Sequence, residues 1–192
     1  MDKILIQYDK IFIDTSSFML GWKSLHAYKY MKRTELDESL TRSLQEEFFI
    51  NILKKTMKSI DKKVSIPIEV IHEIEKAEKS INDKKLSFKG RNALKILNNY
   101  KADDMLDVFQ GENYPFTDNI FITIMFRFMT KYNICLITQD RALSRDVVKI
   151  KQFESIKTYK KIDAYLIGFK NNEFTLNKKN VSRDYNTKKM ND

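Results

Sequence analysis

Cysteine, glycine and histidine are scarce in this 192-residue chain, which holds one, four and two of them. A single cysteine, Cys135, excludes an internal disulfide and is typical of a protein from a reducing compartment such as the cytoplasm. Four glycines are too few for the glycine-rich loops that bind nucleotide phosphates. His26 and His72 lie far apart in the sequence, so a zinc site built on histidine is not expected.

Long apolar runs are also missing. The longest, Ile120 to Phe126, is far shorter than the roughly 20 residues that a helix needs to span a bilayer. Charged residues at Asp2, Lys3 and Asp9 interrupt the N-terminus, which therefore has no apolar core of the kind found in signal peptides. We expect a soluble cytoplasmic protein with no membrane partner.

Acidic residues are outnumbered by basic ones, and the excess is concentrated at one end of the chain. Residues 141–192 hold 13 Lys and Arg against 6 Asp and Glu, so they carry +7 of the net +9 and the first 140 residues carry +2. A basic segment beside a nearly neutral body favours a polyanionic partner, most simply nucleic acid. The alternative is a solvated surface in a sequence rich in Lys and Asn.

Short apolar runs alternate with helical patterns along the first 150 residues. The runs Lys10–Asp14, Val64–Ile68 and Ile134–Thr138 are typical of buried parallel strands. Apolar spacing predicts helices over about 25–63 (with a break near 32–37), 69–80, 90–100 and 118–132, and a short strand over 105–109. The alternation predicts an α/β fold, a three-layer α/β/α sandwich with a mainly parallel sheet.

The pattern changes after about residue 150. Tyr165–Phe169 and Glu173–Leu176 flank an Asn-rich turn, which predicts a C-terminal β-hairpin. Residues 177–192 are polar, and we expect them to be frayed. We therefore predict one domain over residues 1–150, with a helical insertion at about 25–63, and a basic extension over 151–192 that packs on the domain or trails from it.

Four acids stand at the ends of predicted strands or in the first turns of predicted helices: Asp14, Glu73, Asp118 and Asp140. Ligands of open α/β sheets bind beyond the carboxyl ends of parallel strands, so we expect these side chains to converge at one edge. Crowded carboxylates need a compensating cation, and Mg²⁺ or Mn²⁺ is the usual one because these ions prefer oxygen ligands. One or two such ions would activate water for phosphodiester hydrolysis.

Each acid taken alone has a plainer interpretation. Asp118 and Asp140 could cap the helices that they begin, and Glu73 could be a solvated helix residue. Asp14 is the hardest to explain in this way. Because it follows the apolar run Ile11–Ile13 directly, its charge is expected to be partly buried, which is unfavourable unless the carboxylate has a partner or a role.

The segments that carry these acids resemble the PIN-domain family of ribonucleases. They are Ile11–Ser17, Ile66–Glu73, Thr117–Ile120 and Leu136–Leu143, and they occur in the family's order. The resemblance covers about Lys10 to Ile150 and marks the first domain as a PIN-like nuclease domain. It implies hydrolysis of RNA by water activated on Mg²⁺ or Mn²⁺, held by an acidic quartet of Asp14, Glu73, Asp118 and Asp140.

The same resemblance suggests further residues and partners. Ser16 and Thr138 stand where family members often place a hydroxyl beside the metal site. Glu69 is a rival to Glu73, because it lies one turn earlier on the same helix face. Many relatives dimerise and many of the shortest are toxins of toxin–antitoxin pairs, so a homodimer and a protein inhibitor join RNA as candidate partners.

Arg141 and Arg145 lie four residues apart on one predicted helix, where they could contact an RNA phosphate or pair with a neighbouring aspartate.

Together these features predict a metal-dependent endoribonuclease, acting in RNA processing or as a toxin. The main alternative is a non-catalytic RNA-binding or scaffold protein on the same fold. The four acids argue against it, because a pure binder of a polyanion gains nothing from a negatively charged cleft. A haloacid-dehalogenase-like phosphatase would need a second aspartate where this chain has Ser16.

Overall fold

The computed structural model describes residues 1–20, 38–110, 117–150, 160–171 and 173–180, without the side chains of residues 117, 118 and 170. The strands are β1 (Lys10–Ile13), β2 (Val64–Pro67), β3 (Leu106–Phe109), β4 (Ile134–Ile137), β5 (Ile162–Lys170) and β6 (Glu173–Lys178). They form one six-stranded sheet in the order β3-β2-β1-β4-β5-β6. Neighbouring strands are parallel except for β5 and β6, which form an antiparallel hairpin.

The helices of the described residues are α1 (Asp2–Leu5), α2 (Thr15–Phe18), α3 (Glu38–Glu46), a π-helical segment (Glu47–Lys54), α4 (Lys55–Ser59), α5 (Ile68–Glu78), α6 (Lys84–Ala102), α7 (Thr117–Phe128) and α8 (Arg141–Ile150). From β1 the chain adds β2 and β3 on one side and then crosses back to add β4 on the other side of β1. Right-handed crossovers therefore place α2–α6 on one face of the sheet and α7–α8 on the opposite face. In agreement, α5 packs against α2 and α6, and α7 packs against α8. The predicted three-layer α/β/α sandwich with a mainly parallel sheet is confirmed.

The central strands are apolar on both faces because helices cover both sides of the sheet. Ile11, Phe12 and Ile13 are almost fully buried, as is every residue of β4. Cys135 lies within β4, and its burial raises the pKa of the thiol. It is therefore a core thiol, as its position in the sequence predicts.

Helix α6 is longer than its apolar spacing predicts, beginning at Lys84 instead of Gly90. The extra turns are stabilised at their start by Asp83, whose carboxylate accepts a hydrogen bond of 2.9 Å from the backbone N–H of Leu86. The predicted helix break near residues 32–37, and His26, lie outside the described residues.

The C-terminal hairpin continues the main sheet. Strand β5 pairs in parallel with β4, and Asn171 adopts a left-handed conformation (φ 53°) in the turn before β6. The predicted hairpin is thus confirmed, while the boundary near residue 150 remains a prediction. The prediction of a frayed tail from residue 177 is wrong at its start, because Asn177 and Lys178 pair with β5 as part of β6. Residues 181–192 lie outside the described residues. Across the described ranges, no helix is long and apolar enough to cross a membrane.

Candidate functional site

The order of the strands changes direction between β1 and β4, which makes this point the expected ligand-binding crevice of the sheet. Ile13 and Ile137 are paired at the carboxyl ends of the two strands, so the residues that follow them, Asp14 and Thr138, lie side by side. The N–H of Asp14 also donates to the carbonyl of Ile137, at 3.1 Å. The parallel register alone therefore places an acid and a hydroxyl together at the switch point.

Asp14 is 4% exposed. Its Oδ2 accepts a hydrogen bond of 2.8 Å from the hydroxyl of Thr138 and another from the hydroxyl of Ser16. It stands at the N-cap position of α2, but its side chain does not cap that helix. These two hydroxyls orient the carboxylate, and they are the two that the resemblance suggests beside the site.

The same hydroxyls hold the loop between β4 and α8. The oxygen of Ser16 accepts hydrogen bonds from the N–H groups of Gln139 (2.9 Å) and Asp140 (3.1 Å). The hydroxyl oxygen of Thr138 accepts a second bond from the N–H of Asp140, at 2.9 Å. The backbone of Asp140 is therefore fastened to the segment that carries Asp14.

The side chain of Asp140 caps α8. Its Oδ1 accepts hydrogen bonds from the backbone N–H groups of Ala142 (2.5 Å) and Leu143 (3.0 Å). The plainer interpretation of this acid is therefore correct for one carboxylate oxygen. Asp140 is half-buried at the carboxyl edge of the sheet, and the cap through Oδ1 fixes its side chain there.

Glu73 lies on α5 and is exposed, but it is joined to the same segment. The hydroxyl of Thr15, the residue after Asp14, donates to Oε2 of Glu73 at 2.5 Å. Its rival Glu69 has one buried carboxylate oxygen that accepts no hydrogen bond from the described residues. The contact through Thr15 was not predicted, although the run of three hydroxyl residues after Asp14 was a signal for it.

Asp118 lies in the first turn of α7, and its side chain is outside the described structure. Among the side chains that are described, no three His, Cys, Asp or Glu are grouped so that they could hold a metal ion. The described groups that meet here are the carboxylate of Asp14 and the hydroxyls of Ser16 and Thr138. Oxygen groups of this kind suit a hard cation such as Mg²⁺ or Mn²⁺ better than zinc.

Arg141 and Arg145 are both exposed on α8. The Nε of Arg145 donates to the carbonyl of Arg141 at 3.1 Å, one turn back along the helix. The neighbouring Asp146 pairs with Lys149 at 2.9 Å instead of with either arginine. A role for the two guanidinium groups on an RNA phosphate stays a prediction.

Comparisons of the chain with protein-family models, with characterised proteins and with solved structures found no match. The resemblance to PIN-domain ribonucleases therefore rests on the four sequence segments alone.

Proposed function

We propose that this chain is a metal-dependent endoribonuclease whose site is formed by Asp14, Glu73, Asp118 and Asp140. The observation that carries the proposal is the buried carboxylate of Asp14 at the switch point of the sheet, held by two hydroxyls. Burying a carboxylate is unfavourable, and a protein that retains one at a ligand-binding crevice is expected to use its charge.

The described contacts support a site built around this residue. Thr15 links α2 to Glu73, while Ser16 and Thr138 link it to the backbone of Asp140. Oxygen ligands from these acids would hold Mg²⁺ or Mn²⁺, which when bound would supply the activated water for phosphodiester hydrolysis. The hydroxyls would keep Asp14 in one orientation, as partners of metal-binding carboxylates usually do.

The test is cleavage of single-stranded RNA by the purified protein with Mg²⁺ or Mn²⁺. We expect Asp14→Asn to abolish cleavage and to leave the circular dichroism spectrum unchanged. Glu73→Gln should lower cleavage strongly and Glu69→Gln should not, because Thr15 joins only Glu73 to α2 in the described structure. The matched control is Asp61→Asn, since Asp61 is exposed and its positive φ of 52° suits asparagine.

A direct measurement of metal binding separates the chemistry from contaminating nuclease. Titration of the wild-type protein with Mn²⁺, followed by calorimetry or electron paramagnetic resonance, should show binding that Asp14→Asn weakens and Asp61→Asn does not. Full cleavage by Asp14→Asn would refute the proposal.

RNA binding without catalysis is the second candidate, and one observation favours it. One carboxylate oxygen of Asp140 is already engaged as the cap of α8. RNA binding by a protein that neither cleaves RNA nor binds Mn²⁺ would establish this candidate instead. A homodimer, a protein inhibitor, the toxin or processing role and the cytoplasmic location remain predictions from the resemblance and the composition.

A further inference from the structure

Helix α6 carries six basic residues and no acidic residue in its 19 positions: Lys84, Lys85, Lys89, Arg91, Lys95 and Lys101. None of the six forms an ion pair with another described residue, in contrast to the lysines near β3 that pair with Asp103, Asp104 and Asp107. Six cations that pair with no acid among the described residues make this helix a candidate surface for a polyanion.

Three of these cations share one exposed face. Lys84, Arg91 and Lys95 are separated by seven and four residues, which at 100° per residue places them within about 40° of one another around the helix axis. All three are exposed. They follow the helix for roughly 16 Å at a rise of 1.5 Å per residue, a length that reaches several consecutive phosphates of a nucleic-acid strand. We call these three residues the α6 stripe.

A groove of about 320 Å³ lies beside the stripe, between α6 and the helical stretch of α3 and the π-helical segment. Its polar lining holds two cations and one acid, Arg42, Lys95 and Glu46, together with the amide side chains of Gln45, Asn51, Asn92 and Asn99. The guanidinium of Arg42 lies 5.5 Å from the centre of the Phe88 ring on α6, so this cation stands at the same helix. The groove therefore combines amide groups with positive charge, the combination that contacts both the bases and the phosphates of a nucleic acid.

Two amide atoms in the walls of the groove are buried and have no hydrogen-bond partner among the described residues: Oε1 of Gln45 and Nδ2 of Asn92. One is an acceptor and the other a donor, and because both atoms are buried, a base reaches them only when these side chains turn toward the groove. The edge of an unpaired base offers a donor next to an acceptor, whereas a duplex has already used that edge. This chemistry favours a single strand over a duplex.

The groove is also connected to the proposed catalytic site. The Nε2 of Gln45 donates to the carbonyl of Phe18 at 3.0 Å, and Phe18 ends helix α2, which begins directly after Asp14. The wall of the groove is therefore hydrogen-bonded to the helix that lies beside the buried carboxylate.

We propose that the α6 stripe and the adjoining groove bind a single strand of RNA, with the three cations on its phosphates. The inference rests on the proposed function only for the identity of the strand as substrate, because binding itself needs no catalysis. It also places the RNA-binding surface on α6, within the part of the chain whose net charge is close to neutral.

The experiment measures binding of a fluorescein-labelled 20-nucleotide RNA by anisotropy, in the Asp14→Asn background with EDTA present so that cleavage cannot interfere. We expect the triple variant Lys84→Gln/Arg91→Gln/Lys95→Gln to bind at least tenfold more weakly near 0.1 M salt. The slope of log K against log salt should fall in magnitude by about 2, since each lost contact with a single strand contributes about 0.7.

The matched control is Lys3→Gln/Lys55→Gln/Lys101→Gln. These three lysines are exposed, form no ion pair with a described residue, and lie off the stripe, so the variant has the same change in net charge. It should bind within about twofold of the parent. Equal loss in both triple variants would show that only net charge matters and would overturn the proposal, as would undiminished binding by the stripe variant.

Two further measurements test whether the partner is RNA and whether binding is independent of the proposed nuclease activity. Equal affinity for single-stranded DNA of the same sequence, or no binding of RNA at 10 µM protein, would overturn the assignment to RNA. Failure of this inference and failure of the proposed nuclease can be told apart. If binding depends on the stripe but no metal-dependent cleavage is found, this inference stands and the proposed nuclease fails. If cleavage depends on Asp14 but binding does not depend on the stripe, only this inference is refuted.

Discussion

An ionic network around a buried carboxylate of the sheet allows a quantitative test of the fold. The carboxylate of Asp163 on β5 is 1% exposed and lies 2.8 Å from Nζ of Lys178 on β6. The hydroxyl of Tyr8, which precedes β1, donates to the same oxygen at 2.6 Å and lies 2.8 Å from the hydroxyl of Tyr165. The network therefore joins the hairpin to the N-terminal segment of the chain.

We expect Lys178→Met to lower the free energy of unfolding by about 3 kcal/mol, because it removes a cation that lies 2.8 Å from a buried carboxylate. The estimate is at the lower end of the usual 3–5 kcal/mol for such a loss, since the hydroxyl of Tyr8 still donates to Asp163. Urea unfolding followed by circular dichroism measures the change. The double variant Lys178→Met/Asp163→Asn should recover part of the loss, because it also removes the buried negative charge that Lys178 stabilises.

Lys63→Met is the matched control. Lys63 and Lys178 are almost equally exposed, at 48% and 46%, but the partner of Lys63, Asp104, is 85% exposed whereas Asp163 is buried. A solvent-exposed ion pair contributes about 0–1 kcal/mol, so Lys63→Met should change the free energy of unfolding by at most about 1 kcal/mol. Equal effects of the two substitutions, or a loss below about 1 kcal/mol for Lys178→Met, would show that burial of the partner does not set the cost.

Two further predictions concern stability. Burial raises the pKa of Tyr8, Tyr100 and Tyr165 above the ordinary value of 10.0, so above pH 10 the unfolded chain releases protons that the folded chain keeps. The free energy of unfolding should then fall by up to about 1.4 kcal/mol per pH unit for each tyrosine. Urea unfolding at pH 9, 10 and 11 should show a smaller fall in Tyr100→Phe, and an unchanged fall would contradict the assignment. Gly90→Ala should destabilise the protein by about 1–3 kcal/mol in the same assay. The methyl group of the new alanine would lie 2.8 Å from the Cα of Glu78, where α5 crosses α6. A stabilised variant would contradict this close approach.

The fold class could be predicted because hydrophobic periodicity is a local signal. Each buried strand is a short apolar run, and its residues are buried on both faces in the way that a parallel sheet requires. The start of α6 could not be predicted in this way, because its first turns are stabilised by the Asp83 cap and not by an apolar stripe.

The candidate site was predictable at the residues that follow β1 and β4, since paired strands that end at the same level must place Asp14 and Thr138 together. The contact between Thr15 and Glu73 depends on how α2 and α5 pack, which strand-end reasoning does not address. Asp163 was missed for a related reason. A single acid in an apolar strand indicates a buried charge, but its partners Tyr8 and Lys178 come from opposite ends of the chain.

The distribution of charge shows why the surface that we propose for RNA has to be sought in the structure. Counted along the sequence, positive charge is concentrated after residue 140. In the folded protein a cation attracts a partner only if no acid neutralises it, and folding pairs Lys10, Lys54, Lys58 and Lys63 with the three aspartates near β3. The cations of α6 receive no such partner among the described residues, although they belong to the part of the chain that is nearly neutral overall. A local excess therefore arises where the fold separates basic residues from acidic ones, and this separation, more than the net charge of a segment, determines where a polyanion should bind.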